Sequence, residues 1–438
     1  MKKLLIVSPY FPPTNTPDMQ RVRMGLSCYA AHGWDATVLT VEERYQGGLS
    51  EPELMRTLPA TARIVRVPAW PLRWARLLGF GNIGLRAWPF LYREGARLLR
   101  REKFDLVFFS TTQFAVFTLG PLWKARFGVP YVLDFQDPWR TNAYERSGAR
   151  PPPGGWKYQF ARLQARLFEG WTVRGASALM SVSPLYLEDF RQRYPSILGK
   201  PSAVLPFGAS QSDLVHASEL PAPPQAIVRR VGERHLVYTG AAGPISPRAL
   251  AILFEALRQY REQSPERSGR IRLHFIGTSY GEGGRAKCSI LPVAESFGVS
   301  DQVTEIPYRV GFLDAIRLQQ DADGLVLLGA PDPAYVPSKA FVYYLTRKPI
   351  LALLYPDTVL ERLLDELACA HLVRIQPNAG DAGSFPALWA FFDALVDGTA
   401  GDLMPVRRDD IFRSRYLAEE LAGQQCALFE AGVSYHQT

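Results

Sequence analysis

The chain has 438 residues, of which 47% are apolar and 21% charged, a balance that excludes a disordered or fibrous protein and suffices for two or three domains. Its four cysteines, Cys28, Cys288, Cys369 and Cys426, form no C-x-x-C pair, which argues against a zinc site or disulfide framework and for reduced thiols in the cytoplasm. The net charge of +8 is partly local: Arg66 to Lys103 holds nine Arg/Lys and two Glu, interleaved with Trp70, Trp74, Phe80, Trp88, Phe90 and Tyr92.

The N-terminus, MKKLLIVSPYFPP, has too short an apolar core for a signal peptide and no small-residue cleavage site, so it reads as a first buried strand. Nothing approaches the length of about 18 apolar residues needed to cross a bilayer. Further strand candidates follow at 36–40, 63–68, 105–109, 131–135, 178–183 and 203–206, with helical patterns at Met19–His32, Gly95–Lys103, Phe114–Phe127 and Trp156–Arg174. Alternating strands and helices imply a parallel sheet covered on both faces. The basic aromatic stretch Arg66–Lys103 admits two readings, a surface for an anionic membrane or a helical hairpin with its aromatics in the core. No nucleic-acid-binding motif accompanies it.

Residues 207–235, rich in Pro, Ala and Ser, break the rhythm and read as a passage between domains. Strands resume at 235–240, 272–277, 303–307, 325–329, 349–354 and 372–375, with helices at Pro247–Glu262, Ile290–Phe297, Phe312–Gln320, Ser338–Thr346 and Thr358–Ala368. The expected domains are 1–207, 208–405 and a C-terminal helix over 406–438 that returns to the first domain. His235 and His274 fall within strands and read as core residues.

Ligands of open parallel sheets bind at the carboxyl ends of the strands, so the strand-end loops are the candidate sites. After the first strand, Asp18 is a candidate helix cap, with Arg21 and Arg23 in the helix's first turns. After the fifth, LDFQDPWR brings Asp134, Gln136 and Asp137 together, carboxylates able to orient a hydroxyl or accept a proton. YTGAAGPISPRAL offers Gly240 and Gly243 in a turn, Ser246 as N-cap, Pro247 as first helical residue and Arg248 beside it, a grip for a diphosphate. Tyr308 and Arg309 precede another helix and are candidate contacts for a base or phosphate. In PSKAFVYYL, Lys339 stands after Pro337 and Ser338 at a helix N-terminus, where cations are disfavoured unless an anion binds. Arg248 and Lys339 together would suit a pyrophosphate leaving group. No metal-ligand spacing, Ser/His/Asp arrangement, HExxH or Walker loop is present.

The order and spacing of LLIVSPYFPP, HGWDATVLT, FGVPYVLDFQDPW, ASALMSVSPLYLEDF, VYTG, DADGLVLL and PSKAFVYYLTRKPIL resemble the bacterial glycosyltransferases of the family 4 type, nearly end to end. The resemblance implies the α/β GT-B fold, two facing Rossmann-like parallel-sheet domains with a C-terminal helix packing back. It implies a retaining transferase that moves a sugar, hexosyl-like, from a nucleotide diphosphate donor to a lipid-linked, polysaccharide or other glycan acceptor, without a metal or other cofactor. The donor would sit in the C-terminal domain on Gly240, Gly243, Arg248, Tyr308, Arg309, Ser338, Lys339 and Val342. The acceptor would meet Asp18, Arg21, Asp134, Gln136 and Asp137, with Asp137, Arg248 and Lys339 catalytic. The implied location is the cytoplasm, with an anionic inner-membrane surface as a candidate partner and nucleic acid excluded. Two glutamates common in the family correspond to Ala334 and Val342, a common histidine to Gln136, and the glycines of the first loop are absent. Those departures raise the alternative of a catalytically weak scaffold that binds a nucleotide or a partner transferase.

Overall fold

A computed structural model describes residues 1–77, 81–140, 155–225, 227–279, 286–333, 336–376 and 380–437, with backbone alone at 76, 77, 155–158, 160, 161 and 244. The chain divides into two units, Met1–Phe207 with Ala418–Thr438, and Gly208–Leu417.

Unit one is built on strands β1 (Lys2–Val7), β2 (Trp34–Val41), β3 (Arg63–Val67), β4 (Leu106–Ser110), β5 (Tyr131–Phe135), β6 (Ala178–Ser181) and β7 (Ser202–Val204). They lie in the order β3-β2-β1-β4-β5-β6-β7 and pair in parallel throughout. Leu5 of β1 stands between Thr37 of β2 and Val107 of β4. The strand order reverses there, which makes the end of β1 a topological switch point where ligands gather. Its helices include α1 (Gln20–Leu26), α2 (Leu72–Leu77), α3 (Ile83–Arg101), α4 (Leu119–Phe127), α5 (Gly155–Gly175) and α6 (Pro184–Arg193). One apolar layer joins Leu5, Val7, Leu39, Phe109, Trp123 and Leu133.

Helix α3 starts twelve residues earlier than the expected Gly95. Asn82 caps it by accepting from the Leu85 amide at 3.3 Å, and Pro89 lies inside it. Trp88, Phe90 and Tyr92 pack against the core cluster, while Trp70 and Trp74 of the same stretch are exposed. Trp88 stacks on Tyr92 and donates its indole N–H to Thr118 at 2.8 Å. Phe80 lies outside the described residues.

Unit two repeats the plan with β8 (Arg234–Thr239), β9 (Ile271–Ile276), β10 (Val303–Ile306), β11 (Gly324–Leu328), β12 (Ile350–Leu354) and β13 (His371–Arg374), in the order β10-β9-β8-β11-β12-β13 and again parallel. Its helices include α7 (Gln211–Glu219), α8 (Pro247–Gln263), α9 (Phe312–Asp321), α10 (Lys339–Thr346), α11 (Val359–Leu367), α12 (Phe385–Asp397) and α13 (Asp409–Tyr416). Both architectures follow from strands buried on two faces, which read as continuous apolar runs.

Two expectations need correction. The passage 207–235 contains α7, capped by the Ser210 hydroxyl at the Ser212 amide. Gln320 of α9 donates to the Leu214 carbonyl at 3.1 Å, and Arg317 to the Ser218 carbonyl at 2.7 Å. Such a short helix depends on packing rather than propensity, so its polar sequence hid it. The helix expected over 406–438 is two helices: α13 in unit two, and α14 (Ala418–Gln437) in unit one. The break comes at extended Leu417, where the Ala209 amide donates to the Tyr416 carbonyl at 3.1 Å. In unit one, Phe429 of α14 meets Phe108 edge-tilted at 4.9 Å, and Gln425 accepts from the Tyr29 hydroxyl at 2.6 Å.

Strands β8 and β9 bring His235 and His274 within 3.0 Å, Nδ1 to Nε2. Burial, then its neighbour His235, lowers the His274 pKa from 6.5 to about 4, and burial, then Arg229, lowers that of His235. Between the ordinary value and the lowered one the unfolded chain binds more protons than the folded one, so stability is lost as pH falls through this window. The melting temperature is expected to drop between about pH 6.5 and 4, and His274→Asn, which keeps a hydrogen-bonding partner for His235, to flatten that slope. Thermal melts across the range check it.

Candidate functional site

Strand β8 ends at Thr239 and the chain turns at Gly240 with φ +100°, a left-handed value that favours glycine. Beside this turn stands Lys339, the first residue of α10. Its Nζ is 3.7 Å from the centroid of the Tyr238 ring, and a Cβ at Gly240 would approach it to 3.2 Å. The residue as a whole is partly exposed, yet Nζ is buried and has no hydrogen-bond partner among the described residues. Burial brings its pKa from 10.5 down to about 7, because the ring face compensates only part of the lost hydration. The Tyr238 hydroxyl donates to the Ala241 carbonyl at 2.7 Å, and the Thr239 amide donates to the Tyr343 hydroxyl at 3.0 Å. These bonds hold the strand end and α10 together, so the ammonium sits in a prebuilt position.

The following loop approaches its neighbours closely. A Cβ at Gly243 would lie 2.5 Å from the buried, unpartnered Ser289 hydroxyl oxygen. Ser246 occupies the N-cap position of α8 without a side-chain cap, and Pro247 follows at its first turn. Arg248 beside it reaches Asp381 Oδ1 at 2.8 Å and the Gln376 carbonyl at 2.8 Å through Nη2. Its charge is therefore already countered, by a residue with no signal in the sequence. Ser338 precedes α10, is exposed and makes no side-chain cap, while Val342 is buried one turn on. Tyr308, 37% exposed, and the half-buried Arg309 lie on the loop between β10 and α9. Ala334 lies outside the described residues. Sequence reasoning missed Glu305 at the end of β10, which accepts from the Ser289, Ile290 and Leu291 amides at 2.8–3.0 Å. It fills the N-terminus of the short helix Leu291–Ser296, leaving those amides no room for another anion.

In unit one the switch-point loops converge on a buried polar cluster. Asp18 does not cap α1. It sits in the 3₁₀ turn Pro17–Met19, and α1 starts at Gln20 without a side-chain cap. Its carboxylate accepts instead from the Thr111 hydroxyl at 2.8 Å, since the interior offers a stronger partner than the frayed turn. Burial raises its pKa. Arg21 and Arg23 do lie in the first turns, both turned inward. Arg21 Nε stands 2.8 Å from Asp134 Oδ2, with side chains 3% and 0% exposed. That N–H is not aligned as a hydrogen bond, so the contact is an ion pair. Nη2 donates to the Leu205 carbonyl at 2.7 Å. Asp134 also accepts from the Ser110 hydroxyl at 2.8 Å, its partner in the β4–β5 register.

Gln136 Nε2 donates to the Asp18 carbonyl at 2.9 Å and to Ser110 Oγ at 3.0 Å, while its Oε1 is buried without a partner. The structure thus brings Asp18, Arg21, Asp134 and Gln136 together and leaves Asp137 at the surface. Burial of its surroundings, then the nearby Asp18, raises the Asp137 pKa, moderated by the water at its exposed surface. Ser110 and Thr111 were legible as the polar STT run directly after the apolar β4.

Unit two therefore offers a cation without a counter-ion among the described residues at the carboxyl edge of its sheet, and unit one a network of hydroxyls, amide and carboxylates at the carboxyl edge of its own sheet. Residues 20–208 match the family model described as the glycosyl transferase 4-like domain. No curated protein matches the sequence. Among solved structures the chain is similar to sucrose-phosphate synthase from Thermosynechococcus elongatus, with 14% identity over 98% of each chain and a TM-score of 0.58. It is similar to Anabaena HepE in complex with UDP-glucose, with 14% identity over 98% of each chain and a TM-score of 0.55. It is also similar to WaaG, a glycosyltransferase involved in lipopolysaccharide biosynthesis, with 14% identity over 91% of this chain and 94% of that one, and a TM-score of 0.55. Residues 20–208 thus resemble glycosyl transferase 4-like domains, and the chain has the α/β GT-B fold, with two Rossmann-like parallel-sheet units.

Proposed function

We propose that the protein is a retaining glycosyltransferase that moves a sugar from a nucleotide diphosphate donor to a glycan or lipid-linked acceptor. The observation that carries the reading is Lys339: a buried ammonium with no hydrogen-bond partner among the described residues, fixed over Tyr238 beside the Gly240 turn. An unpaired buried cation is costly, and a diphosphate placed at that turn would relieve the cost. The charge on such a group grows as the glycosidic bond to the sugar breaks, so a prebuilt cation favours the transition state over the bound ground state. HepE, in complex with UDP-glucose, makes a nucleotide sugar a natural donor class.

In this reading Gly240, Gly243 and Ser338 supply backbone to the donor, Arg248 lends what charge Asp381 leaves it, and Tyr308 and Arg309 face the nucleoside. Val342 offers no carboxylate to the ribose. Asp137 orients the acceptor hydroxyl while the Asp18–Arg21–Asp134–Gln136 network holds its loop. The donor phosphate itself receives the acceptor proton, and no metal is required.

A thermal-shift panel of UDP, GDP, ADP, dTDP and their common sugars tests this. One nucleotide sugar is expected to stabilise the protein, and turnover with it to survive EDTA. A metal requirement would remove the role given to Lys339. No stabilisation by any of them would leave the scaffold reading, for which buried Val342 and the engaged Arg248 are the observations.

A further inference from the structure

Helix α5 exposes large apolar side chains along one stripe. Leu163, Leu167 and Trp171 recur at i, i+4 and i+8, a single helical face, and Phe168 lies beside them. Their exposures are 54%, 61%, 40% and 36%. Phe168 and Trp171 sit with ring centroids 6.3 Å apart. Isolated exposed leucines are ordinary, but a contiguous apolar stripe marks an interaction surface.

The exposed charges described on the helix itself are basic. Exposed Arg166 flanks the stripe and exposed Arg174 ends it. The helix has one acidic residue, Glu169, and its side chain is turned to the interior, where Arg193 and Tyr194 bind it. The opposite face of the helix, with Ala165, Thr172 and Val173, is buried in unit one. The basic stretch read from the sequence contributes a second, smaller exposure, at Trp70, Leu72 and Trp74, with Arg73 5.5 Å over the Trp74 ring.

We propose that the outer face of α5 docks on an anionic membrane surface. Apolar side chains reach the acyl boundary while the arginines remain at headgroup level, their stems lying along the apolar surface. A second copy of the chain is a poorer occupant: a two-fold contact through this face would bring two copies of the same basic helix face together. The proposal does not rest on sugar transfer.

Co-sedimentation of the full chain with phosphatidylcholine vesicles, with and without about 30% phosphatidylglycerol, tests it. Binding is expected on the anionic vesicles alone and is expected to weaken with salt. Leu167→Gln/Trp171→Gln is expected to lower it at least about tenfold, with an unchanged melting temperature because both side chains are exposed. Arg166→Glu/Arg174→Glu is expected to lower it as well. No binding to anionic vesicles, equal binding to neutral ones, or binding indifferent to both double variants overturns the proposal. A wild-type dimer in sedimentation velocity that the Leu167→Gln/Trp171→Gln variant dissolves also overturns it and assigns the face to a contact between copies. Nucleotide-sugar stabilisation measured on the same variants separates this outcome from failure of the transferase reading.

Discussion

Lys339→Met is expected to abolish nucleotide-sugar binding and at the same time raise the melting temperature. The two effects share one cause. The ammonium is enclosed without a partner and its pKa falls from 10.5 to about 7. A shift of that size corresponds to roughly 3–5 kcal/mol of cost to the folded state. With the folded pKa below the unfolded one, the cost is complete below about pH 7 and is relieved as pH rises toward 10.5. The free wild-type protein should therefore gain stability across that range, while the methionine variant, which fills the same space, should be flat and more stable at neutral pH. Turnover should fall by about two orders of magnitude or more, the usual effect of removing a group aimed at developing charge. Donor affinity should weaken as pH rises above 7, because binding then requires a proton that Lys339 has lost. Melts and donor titrations between pH 6 and 10 read all of this. A destabilised variant, or one with normal turnover, would take Lys339 out of the site.

The second large effect is expected at the pair Arg21–Asp134. Both side chains are in the interior, so Arg21→Met leaves Asp134 as an uncompensated buried charge and should cost about 3–5 kcal/mol. Asp134→Asn should cost a similar amount by stranding Arg21. Because Ser110 and Gln136 hang on the same carboxylate, the two changes should be strongly non-additive, and a double-mutant cycle by denaturant unfolding measures the coupling. Asp137→Asn should behave in the opposite way. The residue is at the surface, so stability should stay within about 0.5 kcal/mol while turnover falls. If Asp137→Asn unfolds the protein, or Arg21→Met does not weaken it, the division between buried support and working surface is wrong.

The frame is legible in the order and period of apolar residues. Each of the thirteen strands of the two sheets lies within about two residues of an apolar run, and the central strands, buried on both faces, are the most continuously apolar. The strand-end loops followed from that, and with them the positions of Gly240, Lys339, Asp134 and Asp137. Helices were less legible where their stability comes from partners: α7 looks like linker, and Pro89 made α3 look shorter than it is.

The partners of the loop residues emerge only in the folded chain. Whether a lysine is solvated or enclosed depends on Tyr238 and Gly240, about 100 residues away in sequence. Asp381 claims Arg248, Glu305 claims the amides of Ser289, Ile290 and Leu291, and Thr111 draws Asp18 away from its helix. Each of these is a choice of electrostatic partner made through space. Chain order carries the period of burial, which is local, but it does not carry the distance between charges, which is not.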